Sequence, residues 1–332
     1  MMVGAGVRAN ACRAYRFLSE NWRPGDRIWL FGFSRGAYTV RAVAGMIQRL
    51  GLTRPEHSHL DELAWTVYAG EKRSSRRFEG GNRFGATFSW PATAGATHAI
   101  HFLGVWDTVS SFGMIWNLET LPSTANNDAI DHVRHAVAID ERRALFPANL
   151  FYPERIDQHA SFKERWFAGT HGDVGGGWPE SDSGLAKIAL EWMFDEAAGL
   201  GCRFDDDKRR YFLGQPSAYE SANRRFMGAR RSDPGGAADG QKRKSKTSPS
   251  VGGAINDPFT ATLFSRAWYL LEVLPYRSWD GRRKGMCWRA PHLVARRRLP
   301  GNAILHPSVR EKLAVDRSYR PSNLPPNPTF AD

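Results

Sequence analysis

Residues 28–47 read IWLFGFSRGAYTVRAVAGMI, and the fold is decided by how that stretch is understood. A short apolar run, 28–33, reaches a Gly-x-Ser-x-Gly sequence at Gly32, Ser34 and Gly36, then passes directly into an Ala-rich amphipathic segment. That order predicts strand, tight turn and helix. A serine on a sharp strand-to-helix turn needs small neighbours, because side chains two positions away would crowd the turn. The Ser34 hydroxyl is then pushed outward. The backbone N–H groups that open the helix, beginning with Arg35, point toward any negative charge that develops beside it. The five-residue motif alone is weak. An apolar strand before it and a helix with Ala37, Ala42, Ala44 and Gly45 for close packing after it supply the context of a nucleophile elbow.

Outward from the elbow, alternating strands and helices predict an α/β fold with a mostly parallel sheet and helices on both faces. Residues 7–22 place Val7, Ala11, Tyr15, Leu18 and Trp22 at helical spacing. The elbow helix runs to about Leu50, and residues 60–69 predict another helix. Residues 71–91, charged and Gly-rich, read as loop. The apolar run 98–105 reads as a strand ending at Trp106-Asp107-Thr108. Residues 127–140 read as helix, 163–169 as a strand ending in Thr170-His171-Gly172-Asp173, and 183–198 as helix. Residues 1–227 are expected to form the core. A flexible, basic Gly/Ser-rich loop comes next at 228–254, and 255–332 is an aromatic- and Arg-rich cap or rim that returns to the core with the His306 loop. Residues 321–328 read as a frayed tail.

Composition narrows the function classes. With 332 residues, 42% of them hydrophobic, 12 Trp and 19 Phe, the chain can bury a substantial core. No apolar run approaches a membrane span, and no secretory signal is seen, so a cytoplasmic location in the producing cell is expected. Three scattered cysteines, Cys12, Cys202 and Cys287, predict buried thiols rather than disulfides or a zinc site, and neither metal nor cofactor is expected. The net charge of +12 points to an anionic partner, a membrane surface before nucleic acid, for which no recognition motif accompanies the charge. Much of the excess sits at 242–246, 282–284 and Arg296-Arg297-Arg298, which read as a solvated basic face.

A serine hydroxyl needs an imidazole to take its proton and a carboxylate to hold the imidazole. Asp107 and Asp173 both sit at predicted strand ends, with Asp173 preferred for its Gly-rich turn and Asp107 second. For the base, His306, on a loop after the apolar run 303–305, satisfies the order serine, acid, histidine. His171 precedes Asp173 and would break it. The expected site is therefore Ser34, Asp173 and His306, with Asp107 and His171 as alternative acid and base and the Arg35 N–H as oxyanion donor.

Five blocks also carry a family resemblance: GFSRGAYTVRAVAGMI (32–47), FLGVWDTVSSFG (102–113), HAVAIDERRALFPANL (135–150), WFAGTHGDVGGGW (166–178) and ILHPSV (304–309). In this order they resemble a bacterial and fungal α/β-hydrolase family that includes the catalytic domain of type VI secretion phospholipase effectors. The resemblance implies that Ser34 is the nucleophile and that residues 107–109, 171–176 and 306–309 line one pocket. It further implies a serine hydrolase of carboxylic esters, a phospholipase or lipid esterase acting through an acyl-enzyme without a metal, and export as an antibacterial effector by a dedicated secretion system. Domains of this kind begin well upstream of the elbow, with an Asp-Gly-Thr-type turn near the site. This sequence has no such turn ahead of its elbow strand, so N-terminal strands of the fold are expected to be missing. The alternative expectation is a catalytically inactive remnant that binds an anionic membrane or a partner protein.

Overall fold

The computed structural model describes residues 3–70, 79–109, 113–114, 117–118, 121–125, 127–144, 146–219, 247–259, 268–273, 276–280 and 285–331. Residues 71–78 of the expected loop, 228–246 of the expected linker and the basic clusters at 242–246 and 282–284 lie outside these.

A six-stranded parallel sheet organises the chain. Its strands are β1 (Trp29–Phe33), β2 (Ile100–Trp106), β5 (Ile130–Ala138), β6 (Ser161–Phe167), β9 (Ile304–Leu305) and β10 (Thr329–Phe330), hydrogen-bonded in that order. Two short antiparallel pairs stand apart from it: β3 (Gly113–Met114) with β4 (Asn117–Leu118), and β7 (Tyr276–Asp280) with β8 (Gly285–Arg289). Against one face of the sheet pack α1 (Val3–Asn21), α2 (Arg35–Leu50), α3 (Asp61–Gly70) and α4 (Glu79–Phe88). Their apolar stripes, including Tyr15, Val43, Met46, Ile47 and Tyr68, close over Leu30, Leu103, Val105 and Val133. The opposite face carries α5 (His171–Gly175) and α6 (Gly184–Gly199), where Ala189, Trp192 and Met193 cover Phe102, Ala136 and Phe167. Next come α7 (Asp206–Phe212), α8 (Trp268–Val273) and α9 (Pro307–Val315), the last packing Val309 against Val137, Trp166 and Leu305. Central strands covered on both sides are continuous apolar runs, which is why β2 reads IHFLGVW without alternation.

Three local expectations are corrected. Residues 127–140 are not a helix: Ile130–Ala138 is the strand between β2 and β6. The spacing of Ile130, Val133 and Val137 imitates a helical stripe, which would carry Arg134 on its flank and turn His135 toward water. In the strand both are buried, Arg134 paired with Glu196 of α6 and His135 with Glu164 of β6 at 2.9 Å. Within 71–91, residues 79–88 form α4, with Phe84 in the core. The stretch 321–328 is not a frayed end, since it leads into β10 beside β9, and the Asn323 amide donates to the carbonyls of Ile139 and Arg297 at 2.9 Å each.

Candidate functional site

Strand β1 delivers Ser34 to the turn, and the turn is strained. Ser34 has φ 58° and ψ −122°, a region L-residues rarely occupy, and it costs about 1–3 kcal/mol that the surroundings must offset. They do so by fixing both ends: Ser34 N–H donates to the Trp106 carbonyl at 3.0 Å, and the Ser34 carbonyl accepts from Tyr38 N–H at 3.2 Å. The small-residue requirement holds at Gly32, where a Cβ would lie 2.6 Å from the Gly36 carbonyl oxygen. At Gly36 a Cβ meets nothing within 4 Å, so close packing does not explain that glycine. Arg35 is the first residue of α2, whose opening N–H groups have no intrahelical acceptor and face the serine.

Asp107 comes directly after the last residue of β2. It too has positive φ, 36°, with its N–H held by the Ala136 carbonyl at 2.7 Å. His171 opens α5 immediately after β6 and its turn. The three side chains form one chain of hydrogen bonds: His171 Nδ1 lies 2.5 Å from Asp107 Oδ2, and His171 Nε2 lies 2.8 Å from Ser34 Oγ. An ionised carboxylate only accepts, so Nδ1 carries the proton and Nε2 is left to accept from the serine hydroxyl. The imidazole is gripped by rings as well, with Phe33 4.5 Å away at 35° and Phe146 edge-on at 5.0 Å. A Cβ on Gly175 would fall inside the Phe33 ring, so glycine there is what lets α5 bring His171 this close.

Asp107 is fully buried and accepts four hydrogen bonds. Oδ1 takes Ala138 N–H at 3.0 Å and Arg297 Nη1 at 2.5 Å; Oδ2 takes Arg297 Nη2 at 3.0 Å and the imidazole. Burial alone would push its carboxyl upward. The Arg297 guanidinium and then His171 outweigh that and hold it well below the usual carboxylate range.

The expected trio of Ser34, Asp173 and His306 is not the one that the fold brings together. Asp173 sits two residues beyond His171 on α5 and turns back into a capping box. Its Oδ2 accepts from Thr170 N–H and Oγ1 at 2.9 Å each and from Asn256 N–H at 3.1 Å, and its Oδ1 accepts from Asn256 Nδ2 at 2.6 Å. Burial pushes the Asp173 carboxyl up, opposed by Asn256 and Thr170. His306 is the N-cap of α9: its Nδ1 accepts from Ser308 N–H at 3.3 Å and meets Ser308 Oγ at 2.8 Å, while its ring stacks on Phe167 at 4.5 Å. The three side chains that do meet, Ser34, Asp107 and His171, stand in the chain order serine, carboxylate, histidine. The two choices had to be made as a pair, and the sequence allowed it.

Arg297 is the residue that sequence reasoning missed. The cluster 296–298 is not a solvated face at its first two positions: Arg297 is buried against Asp107, and Arg296 pairs with Asp140. Nothing local in that run marks the middle arginine as the inward one.

Two cavities of about 490 Å³ each flank Phe33. One is lined by Gly6, Val7, Asn10, Ser34, Arg35 and Thr39, and is polar on the serine side. The other is lined mainly by rings and aliphatics, Phe31, Trp106, Val174, Trp178, Leu190 and Phe212. Among the described residues no group of three or more His, Cys, Asp or Glu side chains could hold a metal, and no helix is long and apolar enough to cross a membrane.

Comparison with known proteins gives one family-model match and several similar proteins. The family model described as the catalytic domain of the type VI secretion phospholipase effector, Tle1-like, matches residues 1–196, a span that contains Ser34, Asp107 and His171. An uncharacterized protein of Saccharomyces cerevisiae is 25% identical over 473 aligned residues, covering 95% of this chain and 69% of the yeast protein. Among solved structures, an uncharacterized protein from Pseudomonas aeruginosa aligns with TM-score 0.35 and 21% identity over 66% of this chain and 30% of its own. The Tle1 effector bound to the VgrG spike of the type VI secretion system aligns with TM-score 0.29 and 24% identity over 55% and 32%. This chain thus spans about a third of the length of the two solved structures.

Proposed function

Because the chain belongs to the Tle1-like family of type VI secretion phospholipase effector catalytic domains, we propose that it is a serine hydrolase of carboxylic esters, with phospholipid as its substrate class, built on an α/β-hydrolase plan. The observation that carries this is the unbroken chain from Ser34 Oγ through His171 to Asp107 at 2.8 and 2.5 Å. His171 Nε2 takes the Ser34 proton as Oγ attacks the ester carbonyl, and Asp107 holds the imidazole in the tautomer that makes this step available. Negative charge on the carbonyl oxygen meets the Arg35 N–H and the positive end of α2. The imidazolium then protonates the departing alcohol, leaving an acyl group on Ser34. A water deprotonated by His171 releases the acyl group as fatty acid.

The two cavities suit the two halves of such a substrate. The aromatic groove beyond Phe33 takes the acyl chain, and the mixed pocket beside Arg35, with Asn10 and Thr39 in its lining, takes the anionic end. Vesicles of phosphatidylglycerol and phosphatidylcholine test the reading: the chain is expected to release fatty acid from them, and Ser34→Ala to release none above background. Equal release by the two proteins overturns the reading.

A further inference from the structure

We infer that Arg297 is a positioning residue for this site: its guanidinium fixes the orientation and charge of Asp107, so that His171 is held against Ser34 only while the segment around 297 is seated on the sheet. The inference rests on the function proposed above, and it concerns a residue outside the family-matched span of 1–196.

The guanidinium has five N–H groups in a rigid fork, and the structure satisfies all five. Nη1 donates to Asp107 Oδ1 at 2.5 Å and to the Ala138 carbonyl at 3.2 Å. Nη2 donates to Asp107 Oδ2 at 3.0 Å and to the Phe146 carbonyl at 2.5 Å, and Nε donates to that same carbonyl at 3.1 Å. The carboxylate, 190 residues away in sequence, is thereby gripped by both terminal nitrogens of the fork. With Ala138 N–H and the imidazole occupying its remaining lone pairs, Asp107 has neither a free acceptor site nor room to rotate.

The arginine is itself held. Its N–H donates to the Glu141 carbonyl at 3.3 Å, and its carbonyl accepts from Asn323 Nδ2 at 2.9 Å. On either side, Arg296 pairs with Asp140, and Tyr319 donates to the same carboxylate at 2.9 Å. The loop after β5 is therefore clasped by two separate parts of the C-terminal region. Phe146, whose carbonyl Arg297 holds, also presents its ring edge to His171, so the fork touches two of the groups that aim the imidazole.

A guanidinium against the acid has a chemical consequence. Among the described residues, other charged groups near His171 include Glu141, whose Oε2 accepts from the His171 backbone N–H at 3.2 Å and pairs with Arg143, and Asp173 on the same helix, enclosed by Thr170 and Asn256. Among the described residues, Arg297 is the one Lys or Arg that contacts Asp107 directly. Without it, burial acts on Asp107 unopposed by any arginine, and a protonated acid can no longer hold the imidazole as an ion pair.

The test is the second-order rate of Ser34 labelling by a fluorophosphonate from about pH 5 to about pH 9, which needs no assumption about the natural lipid. Arg297→Met is expected to label about 10²-fold more slowly at neutral pH and to have its acidic limb displaced upward by about one unit or more. Arg297→Lys, which keeps the charge and loses the fork, is expected to leave the limb in place and lower the rate about tenfold. The exposed neighbour change Arg298→Met should match wild type. A folded Arg297→Met protein with the wild-type rate and limb overturns the inference. Should that variant not fold, an unchanged rate in Arg297→Lys overturns it instead. Failure of the wild-type serine to label at all would refute the proposed function, and the positioning role with it.

Discussion

Replacing Asp107 with asparagine removes one charge and almost no volume, and the hydrogen bonds around it set the cost. Each carboxylate oxygen accepts two hydrogen bonds, one of them from Arg297. Whichever way the amide is placed, its NH₂ faces an Arg297 N–H, so that bond is lost and the buried guanidinium is left without a counter-charge. Breaking a buried pair from one side costs about 3–5 kcal/mol. At roughly 2 °C per kcal/mol for a chain of this size, the midpoint of thermal unfolding should fall by about 6–10 °C. The labelling rate of Ser34 should fall by roughly 10³–10⁴, because the amide no longer selects the Nδ1–H tautomer. Combining Asp107→Asn with Arg297→Met removes the stranded charge. The double variant should therefore be more stable than the sum of the single effects by about 2 kcal/mol or more, while its labelling stays slow. The pH dependence has a definite sign. A carboxyl held below its unfolded value contributes stability that is present above about pH 4 and lost as pH falls further, so the gap between wild type and Asp107→Asn should be flat at neutral pH and narrow in acid. Denaturant unfolding of the four proteins, with labelling kinetics on each, reads all of these. Single-variant stabilities that add to within about 0.5 kcal/mol would refute the coupling.

Gly175→Ala places a methyl group in the Phe33 ring, which must leave its tilted contact with His171; a loss of about 10² in labelling rate is expected, for about 1–3 kcal/mol of stability. Unchanged kinetics would show that the Phe33 contact does not aim the imidazole. Asp173→Asn sets an amide among donors from Thr170 and Asn256, so about 1–3 kcal/mol of stability should be lost in a urea melt with the acidic limb of labelling unmoved. A displaced limb would mean that Asp173 acts on the chemistry.

The elbow was legible because its cause is local: strand, tight turn and helix are adjacent in sequence, and Gly32 is needed within four residues of where it stands. The parallel sheet was legible from its buried runs, β2 above all. Strand β5 was not, because its apolar spacing suits a helix, and the partners that make Arg134 and His135 tolerable inside, Glu164 and Glu196 among them, come from other elements. The preference for Asp173 as acid carried the base with it, since His171 precedes Asp173 and satisfies the order rule only beside Asp107. Asp107 and His171 meet because β2 and β6 end at the same edge with β5 between them. The role of residue 297 was invisible for a plainer reason: three consecutive arginines look alike until the loop after β5 is there to receive one of them.

That His171 is the group activating Ser34 is tested most directly by intact-protein mass spectrometry after fluorophosphonate treatment of three proteins. Wild type and His306→Ala should each gain one adduct, mapped to Ser34, and His171→Ala should gain none on the same timescale. An adduct that forms at the wild-type rate in His171→Ala and disappears in His306→Ala would contradict the assignment.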